Sequence, residues 1–260
     1  MTKRAAVATQ GLAVVLGGRR VIEDVSIRLA PGAMVAIVGP NGAGKTTVLR
    51  AMAGLLPPAA GDVAIDGTSL ARVRPADRAR RIAYLPQGHV FHWPMPVADV
   101  VALGRLPHGA SLTDLRPADR HAVERAMRAT GVAEFADRPV TTLSGGERAR
   151  VALARVLAVE ADTVLADEPV TSLDPRYQLV VLDILRNLAR AGHAVVTVLH
   201  DLGLAARHAD RMIVLSSGRV VADGAPDAVL STGLLREVFG VEAYRAETEQ
   251  GPVVVPWRLV

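Results

Sequence analysis

At 260 residues the chain is long enough for one large α/β domain or two modest ones. Apolar residues make up 50% of it, yet no stretch approaches the roughly 18–20 uninterrupted apolar residues that would span a bilayer. The lack of cysteine excludes disulfides and thiolate metal sites, and the formal charge of +4 is spread along the chain, without the dense basic block that would indicate nucleic acid or an anionic membrane.

The first half of the chain predicts strands, one glycine-rich loop and then helices. The N-terminal segment, with a weak apolar run broken by glycine, is interpreted as a first strand rather than a signal peptide. A strand is predicted over 34–39, a helix from residue 45, and short strands over 61–67 and 81–87. From residue 88 to about 158 the pattern favours three helices, over 96–105, over 117–130 and directly after 143–146.

The second half returns to alternation of strands and helices. A buried strand is predicted over 162–169, a helix over 175–192, a continuous apolar strand over 193–201 and a hairpin over 211–224 that turns at Ser217–Gly218. The segment 251–257 is interpreted as a C-terminal tail. Strands alternating with helices predict an α/β fold with an inserted helical segment.

The loop between the 34–39 strand and its helix fits the full Walker A pattern, G-x-x-x-x-G-K-[ST]. Glycines let backbone N–H groups approach phosphates, and the helix that follows directs its positive end at them. Lys45 is one of only two lysines among 30 basic residues, the other being Lys3, and its slim charge suits a pocket for β- and γ-phosphates. Thr46 is a candidate Mg²⁺ ligand. The predicted nucleotide-binding residues are Gly39, Pro40, Asn41, Gly42, Ala43, Gly44, Lys45, Thr46 and Thr47.

Polar side chains end three other predicted strands. Asp167 and Glu168 end an apolar strand, as in a Walker B motif, where Asp167 would hold Mg²⁺ and Glu168 would polarise the attacking water. His200 ends the next strand, on the ligand side of an open α/β sheet, where a neutral imidazole can bond a γ-phosphate. Gln87 is interpreted as a residue that senses Mg²⁺ and the attacking water.

These motifs, together with "LSGGE" at residues 143–147 and "SLD" at 172–174, resemble in order the ATP-binding subunit of an ABC transporter. The resemblance covers nearly the whole chain. It implies a RecA-like P-loop NTPase core (residues 1–87 and 159–260), an antiparallel β part near the N-terminus and a helical subdomain at about 88–158, all within one domain, 1–260. It also implies that two copies form a homodimer around two ATP molecules with Mg²⁺. Ser144, Gly145, Gly146 and Asp174 would then complete the site of the partner.

Three positions depart from the family pattern. Leu16 stands where an aromatic ring commonly stacks on adenine, which predicts weaker base stacking. Val170 replaces a usual threonine, and the signature ends in Glu147 rather than glutamine. None of the three removes a catalytic group.

The segment from Gln87 to His108 contains "VVALGRLPH", which resembles importers of iron-siderophores, cobalamin and haem. The stretch 199–226 and the "GPVVVPW" at 251–257 look most like haem-import ATPases. The resemblance implies haem import through two transmembrane permease subunits, served indirectly by a periplasmic substrate-binding protein. The subunit would lie at the cytoplasmic face of the inner membrane and would not bind nucleic acid.

Several alternatives stay open from the residues alone. Ferric siderophore or cobalamin could replace haem as the cargo. A soluble ABC ATPase acting on nucleic acid is the alternative from another class, although such proteins usually carry two cassettes, a coiled-coil insert or zinc cysteines. A small-molecule P-loop kinase leaves "LSGGE" unexplained. Haem ligation by His89, His92 and His108 is disfavoured because a cytoplasmic subunit need not touch cargo, and Phe91 and Trp93 either anchor a partner helix or pack within the helical segment.

Overall fold

A computed structural model describes residues 7–88, 90–248 and 251–260. The strands are β1 Val7–Leu16, β2 Arg19–Arg28, β3 Met34–Val38, β4 Ala60–Ile65, β5 Thr68–Ser69, β6 Ile82–Leu85, β7 Thr163–Asp167, β8 Ala194–Val198, β9 Arg211–Ser216, β10 Arg219–Gly224, β11 Val241–Thr248 and β12 Gly251–Leu259. The α-helices are α1 Lys45–Met52, α2 Pro75–Arg81, α3 Val97–Ala102, α4 Pro117–Ala129, α5 Gly145–Leu157, α6 Pro175–Arg190, α7 Leu202–His208, α8 Pro226–Val229 and α9 Thr232–Phe239.

The central sheet has six strands in the order β10-β9-β3-β8-β7-β6. Neighbours from β9 to β6 run parallel, and β10 adds an antiparallel edge through the predicted hairpin. Every residue of β3, β7 and β8 is buried, as expected for a sheet covered by helices on both faces. The carboxyl ends of β3, β7 and β8 therefore meet at one edge, and the loops that follow them carry the predicted site residues.

A second, antiparallel sheet has the order β2-β1-β4-β5. Its apolar residues share a hydrophobic core with α1 and with the face of the central sheet beneath it. The expected α/β fold with an antiparallel β part near the N-terminus is thereby confirmed. The interpretation of the N-terminal segment as a strand agrees with β1 from Val7 onward, whereas residues 1–6, including Lys3, lie outside the described residues.

Helices α3, α4 and α5 form the insert between β6 and β7, and their apolar side chains make a separate core. The helix predicted over 96–105 ends earlier, at Ala102, and continues as a 3-10 helix over Leu103–His108. Helix α5 belongs to both parts, because Val151 and Ala154 face the insert while Ala149 and Leu153 face the central core. The insert is thus joined to the core along the whole of α5.

The segment predicted as a C-terminal tail is instead β12, which pairs with β11 in a hairpin. Val254 is buried against the central core, next to Gly203 of α7, and the rings of Tyr244 and Trp257 lie 6.4 Å apart on the exposed side. Within the described part of the chain, none of the helices is long and apolar enough to cross a membrane.

Candidate nucleotide site

The glycine-rich loop between β3 and α1 wraps around the amino group of Lys45. Gly39 has φ +151°, and a Cβ there would lie 2.0 Å from the carbonyl oxygen of Leu215, so only glycine fits. The Lys45 ammonium donates to the carbonyl oxygens of Gly39, at 2.8 Å, and Pro40, at 3.0 Å. Burial lowers the pKa of Lys45, while Glu168 and Asp167 nearby oppose that shift. A buried cation is thus held in the loop, ready to meet phosphate charge.

Two clefts adjoin this loop. The first, of about 260 Å³, lies over the N-terminus of α1, and the second, of about 520 Å³, lies between the loop and the β1–β2 and β9–β10 turns. The first is lined by Val21, Asn41, Gly42, Gly44, Lys45, Thr46, Thr47, Glu168 and His200. The second is lined by Arg19, Arg20, Val21, Pro40, Asn41, Gly42, Ala43, Ser216 and Ser217. Leu16 is 41% exposed and does not line either cleft, although its strand partner Arg19 lines the second one.

Asp167, at the end of β7, is fully buried and is held by two hydroxyl groups. Thr46 Oγ1 donates to Asp167 Oδ1 at 3.0 Å, and Tyr84 Oη donates to Asp167 Oδ2 at 3.0 Å. Burial raises the pKa of Asp167, against the two hydrogen bonds. Sequence reasoning missed Tyr84, which the pairing of β6 with β7 brings beside Asp167.

Glu168, the next residue, uses both carboxylate oxygens. His200 Nε2 lies 2.6 Å from Glu168 Oε1, and Oε2 accepts hydrogen bonds from Gln87 Nε2 at 2.8 Å and Thr171 Oγ1 at 3.1 Å. The backbone of Glu168 is in the left-handed region, with φ +49°, a strained conformation for a non-glycine residue and one that concentrates at functional sites. Gln87, Glu168 and His200 come from three separate strand ends and meet at one carboxylate. Thr171 was not foreseen from the sequence.

The signature residues lie elsewhere. Ser144 is the N-cap of α5: its Oγ accepts from the backbone N–H of Glu147 at 3.3 Å, and the Glu147 carboxylate accepts from the N–H of Ser144 at 2.7 Å. These bonds form a capping box and lower the pKa of Glu147. Glu147 therefore serves the cap, a role that the usual glutamine can also fill. The described residues that line the two clefts do not include Ser144, Gly145, Gly146 or Asp174.

The segment after Gln87 divides into exposed and packed side chains. Trp93 is 75% exposed, whereas Phe91 packs against both the central core and the core of the insert. His92 is exposed, and His108 Nε2 lies 2.8 Å from the carbonyl oxygen of Val159. His89 lies outside the described residues.

A parallel sheet, a Walker A loop and two carboxylates at the end of the neighbouring strand define a P-loop nucleoside triphosphatase. Within that class, residues 22–171 match the model of the ABC transporter family. The chain belongs to this family, is an ATPase of the ABC type and binds ATP, so the resemblance drawn from the motifs is confirmed.

Relatives and solved structures agree with the family. The Hemin import ATP-binding protein HmuV of Nocardia farcinica is 52% identical over 85% of this chain and 76% of the relative, and that of Streptomyces coelicolor is 47% identical over 96% and 90%. The Cobalamin import ATP-binding protein BtuD of Halobacterium salinarum is 47% identical over 88% of this chain and 57% of the relative.

Among solved structures, an ATP-binding subunit of an ABC transporter superposes with a TM-score of 0.77 at 26% identity, covering 90% of this chain and 96% of the other. A dimeric ATP-binding cassette bound to ADP and phosphate superposes with a TM-score of 0.75 at 25% identity, covering 85% and 98%.

Proposed function

We propose that this ATPase powers the import of haem through a bacterial ABC transporter. The meeting of Gln87, Glu168 and His200 beside the Walker A loop carries the hydrolytic part of the proposal. The haem assignment is supported by three relatives named for hemin import, at 45–52% identity over 85–96% of the chain. Because a relative named for cobalamin import is 47% identical, cobalamin or ferric siderophore remains the alternative cargo.

Hydrolysis is an in-line attack of water on the γ-phosphate, with Glu168 as the base that polarises the water. The hydrogen bonds from Gln87 and Thr171 and the contact with His200 orient its carboxylate at the strand end. His200 would bond the γ-phosphate through the imidazole that now contacts Glu168. Lys45 would exchange its two loop carbonyls for β- and γ-phosphate oxygens.

The oxygen atoms beside the cleft fit Mg²⁺. The Thr46 hydroxyl and the Asp167 carboxylate are hard oxygen donors 3.0 Å apart, the kind of ligand that Mg²⁺ prefers, and Asp167 is fully buried at the strand end. Thr46 and Asp167 would hold the ion, and Gln87 would reach it through its amide oxygen. When bound, Mg²⁺ neutralises charge on the phosphates.

The position of the signature residues away from this chain's own clefts supports a homodimer. Ser144, Gly145 and Gly146 open the 13-residue helix α5, whose N-terminal N–H groups suit a phosphate, yet they do not line this chain's own clefts. We infer that they meet the ATP of a second copy, together with Asp174 at the start of α6. Solved relatives of similar fold are described as dimeric cassettes.

Two transmembrane permease subunits would bind the surface that follows Gln87, where Val90 and Trp93 are 74% and 75% exposed. Contiguous exposed apolar surface is typical of protein contacts, and these two side chains support the proposal. The subunit would then sit peripherally on the cytoplasmic face of the inner membrane, with a periplasmic substrate-binding protein acting indirectly and no nucleic acid bound.

The catalytic part is tested with Glu168→Gln in the full-length protein. We expect ATP binding to persist, turnover to fall by about a hundredfold or more, and an ATP-bound dimer to accumulate, measured by phosphate release and size-exclusion chromatography. Ser144→Ala should lower turnover more than ATP affinity. Wild-type turnover in Glu168→Gln would remove Glu168 from the mechanism.

The cargo is tested by reconstituting the ATPase with its permease in vesicles. Binding protein loaded with haem, cobalamin or a ferric siderophore is added from outside, and ATP hydrolysis and uptake are followed. Stimulation by haem alone supports the proposal, and stimulation by another cargo reassigns it. Failure to copurify with any polytopic permease, combined with stimulation by nucleic acid, would favour the soluble ABC ATPase.

A further inference from the structure

A tyrosine ring lies directly against the signature motif. Tyr177 is in the first turn of α6, and a Cβ built on Gly146 would be 2.8 Å from its Cδ2 and 3.1 Å from its Cγ. Real Cβ atoms essentially never approach a neighbour below 3.0 Å, so the ring occupies the space that a side chain at Gly146 would need. The lack of a side chain at Gly146 thus allows the Tyr177 ring to pack directly against the backbone of α5.

The same ring is held by a cation on the next turn of α5. The guanidinium carbon of Arg150 lies 5.4 Å from the centre of the Tyr177 ring, within cation–π range. Because Arg150 follows Gly146 by four residues, both are on one face of α5. Arg150 Nη1 also donates to the carbonyl oxygens of Thr130, at 3.1 Å, and Gly131, at 2.6 Å, just beyond α4. The ring therefore contacts the part of α5 that Arg150 also ties to the end of α4.

Tyr177 is also joined to the segment that leads from Glu168 to α6. Its backbone N–H donates to the carbonyl oxygen of Asp174 at 2.9 Å, and Thr171 in the same segment donates to Glu168. Tyr177 thus contacts both elements that are predicted to meet a second copy. Its ring lies against the signature turn (residues 144–146), and its backbone bonds the Asp174 turn (residues 172–174).

We propose that Tyr177 is a positioning residue, which holds the signature turn in fixed register with the Asp174 turn so that both reach the second copy's ATP together. A ring suits this role because it is rigid, has only two rotatable angles and covers a large area. The inference rests on the proposed function, since it assumes that the signature turn completes the site of a partner. Tyr177 is not among the described residues that line the two clefts beside the Walker A loop.

The test uses the full-length chain with Tyr177→Ala, Tyr177→Phe and, as a matched control, Leu179→Ala, which truncates an exposed side chain two residues further along α6. Displacement of a reacting group by about 1 Å can cost about a hundredfold in rate, so we expect Tyr177→Ala to lower kcat about ten- to a hundredfold. ATP affinity, measured by equilibrium dialysis, should stay within about twofold, because the chain's own Walker A loop is untouched. Both ring contacts survive in Tyr177→Phe, which should restore turnover, and Leu179→Ala should resemble wild type.

A second readout follows dimer formation without hydrolysis. In a Glu168→Gln background, Tyr177→Ala should raise the ATP concentration needed for dimerisation about tenfold or more, whereas Tyr177→Phe should not, as seen by size-exclusion chromatography with light scattering. A merely structural role would lower ATP binding, the thermal midpoint and dimerisation in parallel.

Ser144→Ala separates the two ideas. If Ser144→Ala blocks turnover and dimerisation while Tyr177→Ala changes neither, the signature function stands and the role of Tyr177 is wrong. If Ser144→Ala also leaves turnover and dimerisation unchanged, the proposal that the signature residues complete the site of a second copy is wrong. A loss of ATP affinity in Tyr177→Ala equal to its loss of kcat would likewise overturn the positioning role.

Discussion

Replacing Arg105 with methionine should destabilise the protein far more than removing an exposed arginine. Arg105 is 5% exposed and donates to Asp119 Oδ1 at 2.9 Å, to the carbonyl oxygen of Ala158 at 2.7 Å and to Glu160 Oε2 at 2.8 Å. Asp119 is 1% exposed, and Arg116 and Arg105 together hold its pKa below the usual value, against the effect of burial. The carboxylate is therefore charged in the interior.

Methionine would remove three hydrogen bonds and leave Asp119 paired only with Arg116, whose side chain is 61% exposed. Breaking one partner of a buried ion pair costs about 3–5 kcal/mol, because the remaining charge stays desolvated. For a chain of this size, each kcal/mol shifts the thermal midpoint by about 2–4 °C. The midpoint should therefore fall by roughly 6–20 °C.

The assay is unfolding by heat and by urea, followed by circular dichroism. Arg74→Ala is the matched control, since Arg74 Nε lies 2.6 Å from Asp77 but its side chain is 82% exposed, and exposed ion pairs contribute little to stability. Adding Asp119→Leu to Arg105→Met should recover part of the loss, because it removes the buried carboxylate that has lost one of its two arginine partners. Equal destabilisation by the Arg105 and Arg74 variants would refute the reasoning from burial.

Two further predictions concern pH and nucleotide affinity. His208 is 4% exposed and burial lowers its pKa, so the unfolded chain binds more protons and stability should fall as pH drops below about 6.5, by up to about 1.4 kcal/mol per pH unit. Thermal midpoints at pH 7.5 and 5.5 should show a smaller acid loss in His208→Gln than in wild type, and equal losses would contradict this. Leu16→Tyr should raise ATP affinity about two- to tenfold by giving adenine a ring to stack on. The measurement is a titration with fluorescent ATP. If Leu16→Tyr binds ATP no more tightly than Leu16→Ala, adenine does not lie beside residue 16.

The parts of the site that the sequence predicts are those that depend on local pattern. The Walker A loop can be recognised because its glycines, lysine and threonine are consecutive, and they need only a strand before them and a helix after them. Strands β3, β7 and β8 are predictable because a sheet covered on both faces requires continuous apolar runs. Once these strands are predicted, Asp167, Glu168 and His200 are identified as the polar residues at their carboxyl ends.

The contacts missed from the sequence depend on strand order and on local turns. Tyr84 reaches Asp167 because β6 lies beside β7, and a single sequence does not give that order. Thr171 reaches Glu168 through the turn that follows the strained Glu168 backbone. The C-terminal hairpin was missed for another reason: Pro252 and Pro256 argue against a strand, yet a two-stranded hairpin tolerates them because its edges are not paired to a larger sheet.

The motif "GRLPH" shows how a family resemblance and a physical role can differ. A Cβ on Gly104 would lie 2.2 Å from the carbonyl oxygen of Arg155, Arg105 is the buried ion-pair centre, and His108 contacts the Val159 carbonyl. All three residues hold the 3-10 helix Leu103–His108 against its neighbours. These neighbours are the end of α5, helix α4 and the loop that precedes β7. These contacts are structural, so the motif needs no cargo to explain it. Because His108 contacts a backbone carbonyl, the motif does not distinguish haem, cobalamin and siderophore, and transport by the assembled complex has to decide among them.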